Sequence, residues 1–314
     1  MYEVVVVGGG PAGLSAALTL GRARRSTLLL DQGTGRNAPA AAMHNFFLHD
    51  GDSPEHLRET GRRQLSAYPT VEIRDATVES ATAADSGFEV VLGAGETVRC
   101  HRLLLATGVR DELPAIPGIE ALWGRSVFHC PYCHGYENTG QPVAVLGGTP
   151  DRALLALQLT RFTDDLVLCT DGPAELPPPL RSALADRGVP IRTEPVEGLE
   201  TQTGALTGLR FSGGAPLARS AAFVKPLLRQ RSDLAGRLGC TGFDDGTIEI
   251  DEFARTSTPG VFAAGDMCRR AGLPIPLGAI ALAVAAGMFA GAAVDQDLVF
   301  SDFHIPNPFA PSAA

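Results

Sequence analysis

The sequence predicts an α/β protein containing two Rossmann-like, dinucleotide-binding domains. A complete strand-turn-helix-strand fingerprint fills the first 31 residues, and an altered copy of the same pattern occupies residues 142–172. The length agrees, since 314 residues exceed one ordinary core and suit two domains, or one domain interrupted by another.

The first copy reads YEVVVVGGGPAGLSAALTLGRARRSTLLLDQG. Its four consecutive valines mark a strand buried on both faces. The turn Gly8-x-Gly10-Pro11-Ala12-Gly13 follows, then a helical pattern with Leu14, Ala17, Leu18 and Gly21 on one side. An apolar strand from Thr27 to Leu30 then ends in Asp31. The glycines allow a tight turn and close approach of the backbone to a pyrophosphate, and the helix N-terminus adds the positive end of its dipole. Asp31, 18 residues after Gly13, is placed to bond a ribose hydroxyl.

The second copy has the turn Gly147-Gly148-Thr149-Pro150-Asp151-Arg152. Thr149 takes the place of the second glycine, where a Cβ obstructs the approach to phosphate, and Asp151 brings negative charge towards it. Its second strand ends LCTDG, with Asp171 and no arginine cluster for a 2′-phosphate. The pattern predicts that the fold of a nicotinamide domain is kept and puts its use as an NADPH site in doubt.

Composition excludes several classes of partner. A net charge of −9, from 26 basic and 35 acidic residues, disfavours nucleic acid and anionic membranes. The run LGAIALAVAAGMFAGAAV, 277–294, is long enough to span a bilayer, but Ala and Gly dominate it and no basic residues flank it. A buried helix packed closely on another element is expected there. The start MYEVVVVGGG has no basic region of the signal-peptide kind, so the expected location is the cytoplasm.

Six cysteines in a chain of this size do not form a disulfide scaffold. Cys100, Cys169, Cys240 and Cys268 stand apart and read as small buried hydrophobes. Cys130 and Cys133, in FHCPYCHGYE, form a motif. A zinc site needs four ligands, and there is no second CxxC, so no metal is expected. CPYCH matches the C-x-x-C-H haem pattern literally, but that chemistry belongs to exported proteins. A purely structural disulfide is disfavoured in the cytoplasm. A redox pair remains, because two sulfurs at this spacing can cycle between dithiol and disulfide and a nearby imidazole can lower a thiol's pKa.

Two further segments resemble the strand ends of flavoproteins with two dinucleotide-binding domains: HRLLLATGVRDELP, with Ala106-Thr107-Gly108, and TSTPGVFAAGDMC, with Gly265-Asp266. The resemblance implies that the N-terminal fingerprint binds FAD, with Asp266 on the ribityl chain and the turn at Ala279 and Ile280 beside the ring. Asn45, in MHNFF, sits where the family often places a residue near the flavin. It also implies that the FAD domain is discontinuous, formed by residues 1–112 and 241–314, with a nicotinamide-type domain at 113–240 inserted and carrying the CxxC.

As a whole the chain resembles the low-molecular-weight thioredoxin reductase family. There an acid normally follows the second cysteine, whereas His134 follows it here. That variant is similar to the dithiol oxidases of gliotoxin and holomycin biosynthesis, which take electrons from a small-molecule dithiol and pass them to oxygen. By this resemblance Cys130 meets the external thiol, Cys133 faces the flavin and His134 moves the thiol proton. The expected product is an intramolecular disulfide with hydrogen peroxide, made by a homodimer. His129 and His304 are weaker candidates for a second base. Gly278 departs from the family, which commonly has glutamine before the Ala-Ile pair. An NADPH-dependent thioredoxin or disulfide reductase, and a redox sensor without turnover, are the competing readings.

Overall fold

The computed structural model describes residues 1–93 and 95–309. The chain begins as the fingerprint requires: strand β1 (Tyr2–Val7), helix α1 (Pro11–Arg22) and strand β2 (Thr27–Asp31). Helix α2 (Pro54–Leu65) leads to β3 (Val71–Asp75), and a meander of β4 (Val78–Ala84), β5 (Gly87–Leu92) and β6 (Thr97–Leu105) follows.

Strand β7 (Val109–Glu112) then carries the chain into the middle segment. There α3 (Ile119–Leu122), β8 (Val127–Phe128) and the short helix α4 (Pro131–His134) precede the second βαβ unit. That unit is β9 (Val143–Leu146), α5 (Pro150–Leu159) and β10 (Leu166–Cys169). Helix α6 (Pro178–Asp186) and β11 (Ile191–Arg192) come next. The antiparallel strands β12 (Val196–Gln202), β13 (Ala205–Phe211) and β14 (Gly214–Ala218) lead to β15 (Ala221–Phe223).

Strand β16 (Leu227–Gln230) carries the chain back. The return comprises α7 (Leu234–Arg237), β17 (Ile248–Glu249), β18 (Val261–Ala263), β19 (Cys268–Arg269) and the long helix α8 (Ile280–Asp302).

Two compact units result: Met1–Arg36 with Glu55–Arg110 and Leu228–Ala314, and Asn37–Pro54 with Asp111–Leu227. The return crossing falls at Leu227/Leu228 rather than at 240/241, because α7 packs on the first unit: Leu234 and Ala235 are buried with Val90, Leu103 and Val261. Residues 37–54 cluster with the second unit, which a division at 112/113 does not anticipate.

In the first unit the sheet order is β3-β2-β1-β6-β5-β4, with β18 also on β6. Strands β3, β2, β1, β6 and β18 run parallel, as a doubly wound sheet requires. Val4 and Val6 pack with α1 and α8 on one face, and Val5 and Val7 with Leu28, Leu103 and Val90 on the other. The valine run is apolar throughout because both faces are covered.

The run at 277–294 falls largely within α8, which is long and apolar enough to cross a membrane by length and composition alone. It lies on α1, burying Gly287, Ala290, Gly291, Ala293 and Val294. A close helix pair demands such small residues.

In the second unit a parallel sheet of order β11-β10-β9-β15-β8 is covered on one face by α5 and α6, and on the other by the β12-β13-β14 sheet. The altered copy of the fingerprint therefore folds as a dinucleotide-type βαβ unit.

Candidate active site and cofactor cradle

At the N-terminal turn Gly8 has φ +112°, in the region open to glycine, and any Cβ there would collide with the Ala106 carbonyl. A Cβ on Gly13 would strike the Gly8 carbonyl, so helix and strand close on each other only with glycine at both places. In front of Gly10 there is open space: nothing among the described residues lies within 4 Å of where its Cβ would stand. Gly10 caps α1 without any side-chain hydrogen bond, and no acidic residue enters the helix's first turn. The leading N–H groups of α1 thus face a gap suited to an anion.

Asp31 stands beside this turn, its carboxylate occupying the place a Gly9 Cβ would take. Its Oδ1 accepts from the Gly33 N–H at 3.1 Å, and its Oδ2 from Arg58 at 2.7 Å and Arg62 at 3.3 Å. Sequence reasoning found Asp31 and missed both arginines, which reach it from α2. Thr107 donates its hydroxyl to the Met267 sulfur at 3.3 Å, and Gly108 has φ +67°.

Asp266 follows Gly265 beyond the end of β18 and accepts at Oδ2 from Arg36 Nη1 at 2.9 Å. Ala279 caps α8 in an extended conformation with no side-chain hydrogen bond, so this second helix N-terminus, at Ile280, also keeps its leading N–H groups open. Two open helix N-termini, an approachable glycine turn and two fixed carboxylates suit a long, doubly anionic dinucleotide with a polyhydroxy chain, as FAD is.

The dithiol motif lies in the second unit. Cys130 has extended backbone angles and caps α4, Pro131 opens the helix, and the N–H groups of Cys133 and His134 donate to the Cys130 carbonyl at 3.3 and 3.2 Å. One short turn therefore holds both sulfurs and the imidazole. Tyr132 projects outwards, 69% exposed. His134 stacks on Phe128 with ring centroids 4.3 Å apart and planes 14° from parallel. Its carbonyl accepts from Asn138 Nδ2 at 2.7 Å. Its Nδ1 is buried with no hydrogen-bond partner among the described residues. Burial pushes the His134 pKa below its ordinary value; Glu137 pulls upwards, and His44 adds to the downward push. A neutral imidazole with an unsatisfied nitrogen is equipped to take a proton.

The other candidates are placed differently. His129 stacks on Trp123 at 5.6 Å, and His304 is exposed in the turn after α8. Asn45 has φ +61° and its N–H donates to Asp50 at 2.7 Å, within residues 37–54 of the second unit. Burial raises the thiol pKa values of Cys100, Cys169 and Cys268 to about 12, with Asp266 adding to it at Cys268, so these thiols resist ionisation. Among the described residues no cluster of His, Cys, Asp and Glu is arranged to hold a metal ion.

The turn before α5 is filled by its own side chains. Thr149 caps the helix, and its hydroxyl donates to Asp151 rather than to the helix backbone. The Asp151 carboxylate also pairs with Arg152 and with Lys225, the latter at 3.3 Å. Arg152 lies over Gly147 and donates to the Lys225 carbonyl at 2.8 Å. Burial works against this carboxylate, but Thr149, Arg152 and Lys225 outweigh it and hold its pKa below the usual range.

A dinucleotide cradle and a CxxC turn with an adjoining imidazole define a flavin-dependent disulfide oxidoreductase. The chain belongs to the pyridine nucleotide-disulphide oxidoreductase family, whose pattern matches residues 2–290, and its thioredoxin reductase-like members bind FAD. It is 32% identical to "Thioredoxin reductase sirT" of Leptosphaeria maculans over 96% of each chain. It is 35% identical to "Thioredoxin reductase tcpT" of Claviceps purpurea, over 85% of this chain and 86% of that one. Among solved structures, HlmI is 39% identical with a TM-score of 0.88, over 96% of this chain and 94% of the other. The putative thioredoxin reductase TrxB of Bacillus anthracis gives 32% and 0.88, over 96% and 100%.

Proposed function

We propose that the protein is a dithiol oxidase, which closes an intramolecular disulfide in a small-molecule dithiol and uses oxygen as the electron acceptor. The observation that carries the direction of electron flow is the self-filled turn before α5. Where a nicotinamide nucleotide would need glycine and open N–H groups, this chain has Thr149 and the Asp151 carboxylate bound by Arg152 and Lys225. The Thr149 Cβ obstructs the approach of a pyrophosphate to the backbone, and the two cations that could face it are engaged by Asp151 instead. This supports a flow of electrons from the thiol side.

On this reading His134 takes the proton from one substrate thiol, giving the thiolate that is the nucleophile. The thiolate attacks Cys130 Sγ of the oxidised pair; a substrate–Cys130 disulfide forms, and Cys133 leaves as a thiolate. The second substrate thiol attacks the first substrate sulfur, closing the product disulfide and releasing Cys130. Two electrons and two protons now rest on the cysteine pair and its bases. The chemistry a bound FAD would supply is a two-electron acceptor for the cysteine pair and an outlet from it to oxygen, with hydrogen peroxide as the product. Gly8, Gly10, Pro11, Ala12, Gly13 and Asp31 would hold its adenosine diphosphate half, and Asp266, Ala279 and Ile280 its ribityl and ring. Ala106, Thr107, Gly108 and Gly265 would complete the cradle. By resemblance the enzyme works as a homodimer.

Anaerobic mixing of the oxidised holoenzyme with either dithiothreitol or NADPH, followed by flavin absorbance, tests the proposal. Bleaching by the dithiol alone, with peroxide formed on admitting air, is the expected result. Rapid bleaching by NADPH would instead establish the reductase, and no bleaching by either would leave a sensor.

A further inference from the structure

Residues 37–54 bring a second imidazole to His134. The neck of this loop is held by Met43 N–H to the Asp52 carbonyl and Gly51 N–H to the Met43 carbonyl, both at 2.9 Å. Just inside the neck lies His44, whose side chain is 21% exposed. Its ring stands edge-on to His134, with centroids 6.3 Å apart and planes at 86°. Its Nδ1 is 3.6 Å from Asp50 and its Nε2 is 3.5 Å from Glu137. Both carboxylates are substantially exposed, at 67% and 37%, so they connect the half-buried imidazole to solvent. His134, in contrast, has its Nδ1 buried with no hydrogen-bond partner among the described residues.

We propose that His44 is a positioning residue for the dithiol reaction, holding with His134 a single shared proton that it passes to Glu137 and Asp50. This rests on the reading of His134 as the base. The place between the Asp50 and Glu137 carboxylates is where a proton on the pair is best held, and a charge there disfavours a second one on His134. His134 thereby stays neutral and ready. When it takes the substrate's thiol proton, the proton already on His44 leaves for a carboxylate or water, so one proton enters the pair and one departs. The other groups around His134 leave this arrangement alone. Phe128 of β8 offers only its ring face. Asp151 and Arg152 of α5 are bound to each other and to Lys225, and His49 of the loop is paired with Asp52 at 2.9 Å. Tyr136, in the turn after α4, is 80% exposed. Cys130 and Cys133 are the reacting partners themselves.

The test is the pH dependence of FAD reduction by dithiothreitol, measured anaerobically in single turnover with full-length holoenzyme. His44→Gln should slow reduction about tenfold, short of the ~100-fold typical of a directly acting acid–base group. It should also move the acid limb of the profile upwards, because His134 then accepts a proton more readily. A unit charge about 6 Å away implies a movement of about half a pH unit to about two, depending on the effective dielectric. His44→Phe keeps a ring against His134 and should move the limb in the same direction. A limb unmoved in both variants, whether or not the rate falls, would reduce His44 to a packing role and overturn the proposal. His134→Gln separates the two readings, since it should abolish the limb. If the limb survives in that variant, the base assignment fails and the role of His44 fails with it.

Discussion

Arg36 donates to Asp266 Oδ2 at 2.9 Å, and the pair passes close to Gly278, where a Cβ would stand 2.8 Å from the Arg36 guanidinium and 3.4 Å from Asp266. This accounts for a departure from the family pattern. A glutamine before the Ala-Ile turn would occupy the space that Arg36 fills here, so Gly278 and Arg36 belong together. Since Asp266 is the carboxylate expected on the ribityl chain, Arg36 fixes its orientation. Arg36→Gln removes a charge-assisted hydrogen bond worth about 1.5–3 kcal/mol, and FAD should bind about tenfold more weakly or worse. Titration of apoenzyme with FAD, followed by flavin fluorescence, reads this directly. Unchanged affinity would show that Asp266 needs no such support.

His134 carries the second prediction. Burial among Phe128 and its neighbours lowers its pKa from the ordinary 6.5, and a general base works only when neutral. As pH falls through 6.5 an ordinary histidine would lose half its activity, whereas this one should hold its rate and fail only at lower pH. The acid limb of dithiothreitol-driven flavin reduction should therefore have its midpoint below 6.5. A midpoint above 6.5 would mean that Glu137 outweighs burial.

The fold was legible where periodicity and glycine chemistry are local. The valine run, the turn from Gly8 to Gly13 and Asp31 all lie within one βαβ unit, so their spacing alone specifies the geometry. The motif Cys130-Pro131-Tyr132-Cys133-His134 was legible for the same reason. What escaped depends on contacts between distant segments. His44 is adjacent to Asn45, yet nothing in MHNFF links it to a histidine 90 positions later. Arg58 and Arg62 lie on α2, whose pattern reads as an ordinary charged surface helix until Asp31 is found beneath it. The chain's return at Leu227/Leu228 was hidden because α7 has too few residues to show which core it joins.

The filled turn at α5 makes a prediction in both directions. The parent protein should bind NADPH no more tightly than about 1 mM, by equilibrium titration of nicotinamide fluorescence. The variant Thr149→Gly with Asp151→Asn removes both the Cβ and the anion, and it releases Arg152 and Lys225 to face phosphate. Its affinity should improve at least tenfold, about 1.4 kcal/mol. Micromolar binding by the parent would contradict the proposed direction of electron flow.

The last prediction concerns the packing that supports the cradle. Gly287 of α8 lies against the backbone of Ala12 in the first turn of α1, and a Cβ there would collide with the Ala12 carbonyl. Backbone cannot swing aside as a side-chain tip can, so Gly287→Ala must push α8 away or displace the very turn that faces the pyrophosphate. Overpacking of this kind costs about 1–3 kcal/mol. For a unit of this size that corresponds to a fall in Tm of roughly 2–12 °C. Since α1 begins at the cradle, FAD should also be lost more readily on gel filtration. Gly236→Ala in α7, where nothing among the described residues lies within 4 Å of the added carbon, is the matched control and should lower neither Tm nor FAD retention. Equal behaviour of the two variants would show that the α1–α8 contact does not hold the turn in place.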